Sequence, residues 1–233
     1  MKKNVILVTL ALALMACGRT QNAGNETAAA SETTATHAAE STTPPPAQAT
    51  ATQAPEEEKP MSAYENKVAE LHTSAGEIDI RFFPDAAPNH VKNFIDLAEK
   101  GFYNGSKFHR VIPGFMIQGG DPNTISGDPS TWGTGGSGKY VQAEFNNIHH
   151  KRGIVSMARS NDPNSASSQF FICVADAGFL DGKYTVFGEV TKGMDVADKI
   201  VNAPRDTSND RPKNPVTIDK VVIRDAKADE QGK

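Results

Sequence analysis

The chain has 233 residues and a formal net charge of −4 at pH 7, from 24 basic and 28 acidic side chains. This length allows one or two domains, but the N-terminal part lacks the apolar side chains of a core, so we expect a single folded domain. A mildly acidic chain without a basic stripe is not typical of nucleic-acid-binding proteins, and we expect no nucleic-acid partner.

The first residues have the pattern of a secretory leader. Lys2 and Lys3 form a basic start, and the apolar run at residues 5–15 is too short to span a bilayer. Small residues then lead into Cys17, an arrangement that resembles the lipobox of bacterial lipoproteins. The resemblance implies that residues 1–17 are a lipoprotein signal peptide and that Cys17 is lipidated and becomes the mature N-terminus. An ordinary secretory leader with a cysteine near its cleavage site is the alternative.

Residues 18–66 consist mainly of Ala, Thr, Ser, Glu, Gln, Pro and Asn, with almost no large apolar side chains. Such a segment buries too little apolar surface to offset the entropy of ordering its backbone, so we predict a disordered tether. A flexible coil of this length spans about 40 Å. We therefore expect a domain in the bacterial cell envelope, periplasmic or surface-exposed, that meets the membrane through the N-terminal lipid only. Gly18 provides no strong retention signal, which slightly favours the outer membrane.

Two strands and a helix open the domain predicted for residues 67–225. Residues 68–72 and 77–82 alternate polar and apolar side chains, which is the period of half-buried strands. A helix is then predicted from about Pro88 to a stop at Gly101. The apolar residues at helical spacing are Val91, Phe94, Ile95 and Ala98.

Short strands dominate the rest of the domain. They are predicted at residues 114–118, 153–158, 169–174, 185–190 and 216–224. A second helix at residues 194–202 carries its apolar side chains on one face and stops before Pro204. Many short strands and only two helices favour a mainly β fold, a closed antiparallel barrel capped by two α-helices, although periodicity alone does not distinguish a barrel from a sandwich. Residues 226–233 are predicted to be a flexible C-terminal tail.

Several features weigh against cofactor, metal and hydrolase chemistry. The glycine-rich run at residues 133–138 matches the dinucleotide fingerprint, but no strand is predicted before it and no helix after it, so we interpret it as a flexible surface loop. His109, His149 and His150 have no metal-ligand spacing with cysteine or carboxylate partners. Cys173 lies in an apolar strand, as inert core thiols do. We therefore expect no cofactor and no metal.

Three blocks of sequence, unlike the features above, carry information about function. Residues 107–121 mix large apolar side chains with Arg and Gln, and alone they would also fit a core strand with a polar outer face. Together with residues 156–172 and 179–188 they resemble, in order, the three signatures of the cyclophilins. The match runs from about residue 68 to 224. It implies a closed eight-stranded antiparallel β-barrel with two capping helices and an outer groove. It also implies peptidyl-prolyl cis–trans isomerase activity on proline-containing unfolded or flexible polypeptides.

The resemblance also assigns roles to individual positions. Arg110 matches the catalytic arginine of the family, with Phe115 and Gln118 beside it. The implied substrate-binding residues are Met116, Ala158, Arg159, Gln169, Phe171, Phe179, Leu180 and Tyr184. The proline ring would be received by Phe115, Met116, Phe171 and Leu180. We expect Arg110 to donate a hydrogen bond to the prolyl nitrogen in the twisted state of the peptide bond.

Three positions depart from the best-known members of the family. Phe179 stands where eukaryotic members have Trp, and Tyr184 where they have His. Arg159 stands where relatives often have Asn. Because Phe179 lacks an indole N–H, we expect cyclosporin to bind weakly.

Two other functions stay open at this point. A peptide-binding module or holdase could use the same groove to grip proline-containing segments without catalysis. The long tether would also suit a surface adhesin or host-interaction lipoprotein. The sequence does not reveal the oligomeric state, and a monomer is the default.

Overall fold

The computed structural model describes residues 59–228 and 230. The predicted signal peptide, Cys17 and most of the predicted tether lie outside the described residues. The described part begins before the predicted boundary at Lys67, and Met61–Tyr64 in it form a 3₁₀ turn. Tyr64 is buried, and its hydroxyl donates a 2.9 Å hydrogen bond to Asp96. One aromatic anchor therefore orders a segment whose average composition predicts disorder.

Ten strands make up the β structure. They are β1 Lys67–Thr73, β2 Gly76–Phe82, β3 Arg110–Ile112, β4 Met116–Gly119, β5 Ile154–Met157, β6 Phe170–Cys173, β7 Val186–Lys192, β8 Arg205–Asp206, β9 Arg211–Pro212 and β10 Ile218–Asp225. Eight of them form one antiparallel sheet in the order β10-β1-β2-β7-β5-β6-β4-β3, and β8 and β9 pair separately. The prediction of an eight-stranded, mainly β fold is confirmed, and the sequence pattern missed the short strands β3, β8 and β9.

The predicted closure of the barrel is wrong, because the sheet is curled but open. Its two edge strands, β3 and β10, form no ladder with each other. The segment before β3 reaches the other edge instead. The Gly105 N–H donates to the Ile218 carbonyl at 2.8 Å, and the Phe108 N–H donates to the Val216 carbonyl at 3.0 Å. Side-chain periodicity indicates where strands lie, but it contains no information on whether the edge strands pair.

Both predicted helices are present, as α1 Pro88–Glu99 and α3 Met194–Val201, and a short helix α2 spans Asn123–Ser126. Helix α1 has Pro88 at its first position, where a missing N–H costs nothing. The chain leaves it through Gly101, whose φ of 71° is in the left-handed region that favours glycine. Further 3₁₀ turns lie at Pro129–Thr131, Pro163–Ser165 and Gly178–Leu180. No helix in the described part of the chain is long and apolar enough to cross a bilayer.

The core between α1 and the inner face of the sheet is built around Phe94. Its ring lies 4.8 Å from the Tyr103 ring, 5.4 Å from Phe170, 5.5 Å from Phe187 and 5.6 Å from Phe82, measured between centroids. All five side chains are buried. A second, smaller buried cluster packs on the other face of β4 and β6, and a surface pocket lies against it.

The described end of the chain, in the segment predicted to be a flexible tail, is bonded to the domain at Ala226 and at Glu230. Arg224 donates from its two terminal nitrogens to Glu230, at 2.6 and 2.8 Å. This pairing lowers the pKa of Glu230 to about 2. The same guanidinium contacts Glu70 and Asp79 on the neighbouring strands, so it joins the end of the chain to the sheet.

Candidate functional site

Cross-strand pairing brings the predicted site residues onto one face of the sheet. Arg110 on β3 is paired with Gln118 on β4, and Gln118 is paired with Phe171 on β6. Phe171 is paired in turn with Ser156 on β5. Because side chains two residues apart on a strand share a face, Met116 points to the same side as Gln118. Residues far apart in sequence therefore meet across four adjacent strands.

A pocket of about 340 Å³ with an apolar floor lies on this face, and we call it the apolar pocket. Met116, Phe171 and Leu180 form its floor and are almost fully buried. Phe115 forms part of the wall, and its ring centroid lies 5.3 Å from that of Phe179. Phe179 is 63% exposed, so it is a rim residue and not a packing residue. The complete lining is Arg110, Phe115, Met116, Gln118, Ala158, Arg159, Phe171, Phe179, Leu180 and Tyr184.

A chain of polar side chains runs from the pocket rim into the glycine-rich loop. The Arg110 guanidinium donates to Gln118 Oε1 over a long 3.4 Å, and Gln118 Nε2 donates to Gln169 Oε1 at 2.9 Å. Gln169 Nε2 donates to the carbonyls of Gly133 and Gly135, at 3.0 and 2.8 Å. Both glutamine side chains are therefore fixed in orientation. Arg110 keeps most of its donors available.

The glycine-rich loop differs from the flexible surface loop predicted for residues 133–138. Its backbone holds Gln169 and lines a second cavity of about 390 Å³. A Cβ atom at Gly135 would overlap the Asp121 carboxylate, and one at Gly136 would lie 2.8 Å from Ser167 Oγ. The glycines thus allow close packing against protein. The sequence signal that could have found this role is the density of glycines next to the strand block at residues 107–121.

Arg159 lies on the wall shared by the two cavities, with Gln118 and Ala158. Its guanidinium sits over the Tyr184 ring, 4.6 Å from the centroid. It donates through Nη2 and Nε to the Lys183 carbonyl, at 2.9 and 3.2 Å. Tyr184 packs edge-on against Phe171 at 5.9 Å, so the departures at positions 159 and 184 support each other.

Two histidines attach the pocket-wall loop to the segment before β5. His149 contacts Asp181 through Nδ1 and Asp176 through Nε2, both at 2.6 Å. His150 donates its backbone N–H to Asp181 at 2.9 Å, and its ring stacks on Phe171 at 6.3 Å. Asp176 and Asp181 enclose the 3₁₀ turn Gly178–Leu180, so these contacts position one wall of the apolar pocket.

His149, Asp176 and Asp181 form what we call the clamp, and each of these groups stabilises the charged form of its partner. The hydrogen bonds that His149 donates to Asp181 and, to a smaller extent, to Asp176 raise the pKa of His149 above its usual value. The His149 ring in turn is the main cause that lowers the pKa of Asp181 and of Asp176. These contacts favour the imidazolium form of His149, which donates from both ring nitrogens to the two carboxylates.

We predict that the loop at residues 176–181 loosens as the pH rises. A histidine whose folded pKa is raised stabilises the fold below its unfolded pKa of about 6.5 and loses this effect above the raised value. The two carboxylates, with lowered pKa values, contribute above about pH 4. Amide hydrogen exchange, corrected for the intrinsic pH effect, should show greater protection of Leu180 at pH 6 than at pH 9.

A pair of variants separates the clamp from general pH effects. His149→Gln should abolish the difference in Leu180 protection, whereas His72→Gln, on β1 between Glu70 and Glu77, should retain it. Equal protection of Leu180 at both pH values in the wild-type chain would refute the clamp.

The remaining candidates for covalent chemistry are buried. Cys173 is fully buried beneath the pocket, and burial raises the pKa of its thiol to about 12. Such a thiol is protonated at neutral pH and is a poor nucleophile. His109 is 5% exposed, burial lowers its pKa, and neither ring nitrogen has a hydrogen-bond partner in the described part of the chain. Neither residue lines the apolar pocket.

One group of acidic residues lies away from the groove. Glu70, Glu77 and Asp79 on β1 and β2 have carboxylate oxygens close enough together to hold a metal ion. Arg224 contacts Asp79, and Lys192 contacts Glu77 at 2.7 Å, so cationic side chains already balance part of this charge. The group is not connected with the pocket residues on β3 to β6.

Comparisons with known proteins agree with this geometry. Residues 68–223 match the family model described as cyclophilin type peptidyl-prolyl cis-trans isomerase/CLD. A peptidyl-prolyl cis-trans isomerase of Acinetobacter baylyi is 43% identical over 170 residues, which cover 70% of this chain and 88% of the relative. The peptidyl-prolyl cis-trans isomerase A of Dickeya dadantii is 48% identical over 162 residues, covering 67% and 82%.

A solved structure is similar over the same region. A cyclophilin type peptidyl-prolyl cis-trans isomerase of Cryptosporidium parvum, crystallised in the presence of the dipeptide Ala-Pro, superposes with a TM-score of 0.61 and 32% sequence identity. The match covers 67% of this chain and 98% of that chain.

Proposed function

The chain belongs to the cyclophilin-type peptidyl-prolyl cis–trans isomerases, and from this premise we propose that its groove binds X–Pro segments of extracytoplasmic polypeptides and assists their folding. The observation that carries the proposal is a weakly held guanidinium, Arg110, on the rim of an apolar pocket. We further propose that a lipid on Cys17 attaches the chain to a membrane of the cell envelope.

The catalytic task is to lower a rotation barrier. An amide loses its resonance when it twists, and the barrier is about 18–20 kcal/mol. An X–Pro bond therefore takes tens to hundreds of seconds to isomerise unaided. Bringing this to milliseconds requires about 10⁴- to 10⁵-fold acceleration, or roughly 5.5–7 kcal/mol. No covalent bond is made and no proton leaves the substrate.

The apolar pocket is suited to hold the proline ring while the rest of the bond rotates. Met116, Phe171 and Leu180 give it an apolar floor, and each of the three is buried and packed. A ring held there fixes the nitrogen side of the bond, so that rotation is confined to the preceding carbonyl. Gln118 and the backbone near Ala158 lie beside the pocket, where they can orient the peptide chain.

Arg110 supplies an interaction that is stronger in the twisted transition state than in the planar ground state, as catalysis requires. As the bond twists, the prolyl nitrogen becomes pyramidal and gains a lone pair that accepts a hydrogen bond, which the planar amide does not offer. A guanidinium is always charged and rigidly forked, so it is oriented before the substrate twists. Its contact with Gln118 at 3.4 Å is longer than a typical N–H···O bond of about 2.9 Å and leaves it free to donate. The bond strengthens only in the transition state and so raises kcat.

The proposed location in the cell envelope is based on the N-terminal sequence. A basic start, a short apolar run and small residues before Cys17 form a lipoprotein-type leader. A single lipid chain binds membranes reversibly, and stable attachment takes more than one chain. The residues between Cys17 and Lys59 would separate the isomerase domain from the membrane and let the groove reach unfolded chains there.

A Cys17→Ala variant of the full chain tests both the anchor and the folding role. Wild-type chain in bacterial cells should incorporate a labelled fatty acid and sediment with membranes, whereas the variant should do neither. Cys173→Ala is the matched control and should keep the label, because its thiol is buried. Membranes that carry the wild-type chain should shorten the proline-limited slow phase of a refolding client.

The two parts of the proposal fail separately. An unlabelled, soluble wild-type chain would overturn the lipid anchor, and labelled membranes without effect on the slow phase would overturn the folding role.

A further inference from the structure

The two cavities on the outer face carry positive charge without acidic residues. Among the described residues that line them, Arg110 and Arg159 are the only charged side chains, and no Asp or Glu is present. This is notable in a chain with 28 acidic and 24 basic side chains. The cavities adjoin, because both are lined by Gln118, Ala158 and Arg159.

Neither guanidinium has a carboxylate partner in the described part of the chain. Arg110 contacts only the neutral amide of Gln118, and Arg159 contacts only backbone carbonyls and the Tyr184 ring. Four of the five other arginines in the described part of the chain have a carboxylate partner, and the fifth, Arg211, lies over the Trp132 ring. Those with a carboxylate within 4.0 Å are Arg81, Arg152, Arg205 and Arg224.

Arg159 is held in place before any substrate arrives. Besides the two bonds to the Lys183 carbonyl, Nη1 donates to the carbonyls of Ser160 and Asn161, at 2.8 and 3.4 Å. A guanidinium has five N–H donors, and these four contacts leave at least one of them available. Carbonyl oxygens orient the group but do not cancel its charge. The side chain is partly exposed, so a ligand can reach it.

The second cavity suits a short polar side chain. Its lining is mostly glycine, serine and threonine, which offer hydroxyl and backbone N–H donors. The lining residues other than the shared three are Gly133, Thr134, Gly135, Gly136, Gly138, Tyr140, Ser160, Ser165, Ser167 and Gln169. A carboxylate in this cavity would meet donors and a fixed positive charge together.

We propose that Arg159 is a specificity-determining residue that makes this isomerase prefer X–Pro segments with an Asp or Glu side chain within two residues of the proline. The inference rests on the proposed function, since the proline ring must occupy the apolar pocket for a neighbouring side chain to enter the second cavity. The substrate class is therefore acidic proline-containing polypeptide.

The test compares peptides that differ only in charge. Asp, Asn or Lys is placed at each of the two positions on either side of the proline, and kcat/KM is measured for the full chain after subtracting each peptide's uncatalysed rate. At one position or more, the Asp peptide should exceed the Asn peptide about 10-fold, which corresponds to about 1.4 kcal/mol. The Lys peptide should be the poorest, and the Asp preference should shrink at high salt.

Variants show whether Arg159 is the cause. The Asp-to-Asn ratio should fall to about one in Arg159→Gln and stay intermediate in Arg159→Lys. Lys220→Gln removes the same charge from the exposed side of β10, outside both cavities, and should keep the wild-type ratio. Because the readout is a ratio within each variant, a general loss of activity does not affect it.

The outcomes separate this proposal from the proposed function. No catalysis of the Asn peptides by the wild-type chain would contradict the proposed function itself. Catalysis with an Asp-to-Asn ratio near one at every position would overturn only the acidic preference. A ratio that survives in Arg159→Gln would overturn the role of Arg159.

Discussion

Replacing Arg110 with lysine should reduce kcat for X–Pro isomerisation by about 10²-fold or more, the loss typical when a donor to transition-state charge is removed. Lysine keeps the positive charge but lacks the planar fork, and its flexible stem is not oriented by the pairing of β3 with β4. KM should change little, because the planar ground-state amide offers the guanidinium no acceptor. The assay is the rate of cis-to-trans conversion of a short X–Pro peptide, resolved into kcat and KM.

The matched control for this prediction is Arg152→Lys. Arg152 is bonded to Asp198 at 2.7 Å and does not line the pocket. Its replacement is therefore the same arginine-to-lysine substitution at a site outside the pocket. Unfolding midpoints of both variants exclude a loss of fold. Full activity of Arg110→Lys would show that the guanidinium is not the donor.

The second large effect is on stability and concerns Phe94. Replacing this ring with alanine should lower the free energy of unfolding by about 3–5 kcal/mol, the range for large aromatic-to-alanine changes in cores. Phe94 is fully buried and is in contact with four other aromatic rings, so the cavity would open where α1 meets the sheet. A small domain has only about 5–15 kcal/mol of stability in total, so the variant should be close to unfolding.

Urea unfolding of the full chain measures this loss. Phe179→Ala is the control, because Phe179 is 63% exposed and surface substitutions usually change stability by less than about 0.5 kcal/mol. A loss below about 1 kcal/mol for Phe94→Ala would mean that the aromatic cluster is not the centre of the core.

Local sequence patterns predict the strands and helices of this fold well, but they do not predict whether the sheet closes into a barrel. The alternation in β1 and β2 and the helical spacing around Phe94 follow from side-chain periodicity, which depends only on neighbouring residues. Whether β3 pairs with β10 depends on the path of residues 105–108, which bond to the far edge through backbone groups. Backbone bonding of this kind leaves no mark in the side-chain pattern. The polar composition of residues 18–66 likewise does not predict the burial of Tyr64, which depends on its contact with Asp96 in α1.

The candidate site also contains some residues that the sequence identifies and others that only the fold identifies. Residues of the apolar pocket such as Phe115 and Met116 lie within one sequence block, and the resemblance to a known family identifies them directly. The roles of Arg159 and His149 depend on partners about 25 and 30 residues away, which only the fold brings together. The sequence of the glycine-rich loop predicts flexibility because the residues that hold the loop, Gln169 and Asp121, lie outside it in sequence.

The most direct test of the central claim is prolyl isomerisation of a short, neutral X–Pro peptide by a small fraction of an equivalent of the full wild-type chain. Many turnovers per chain, with a conversion rate that rises in proportion to the chain added, are expected of a groove that stabilises the twisted bond. A conversion rate equal to that of the peptide alone, with peptide bound in stoichiometric amounts, would contradict catalysis and leave a binding module on a cyclophilin scaffold.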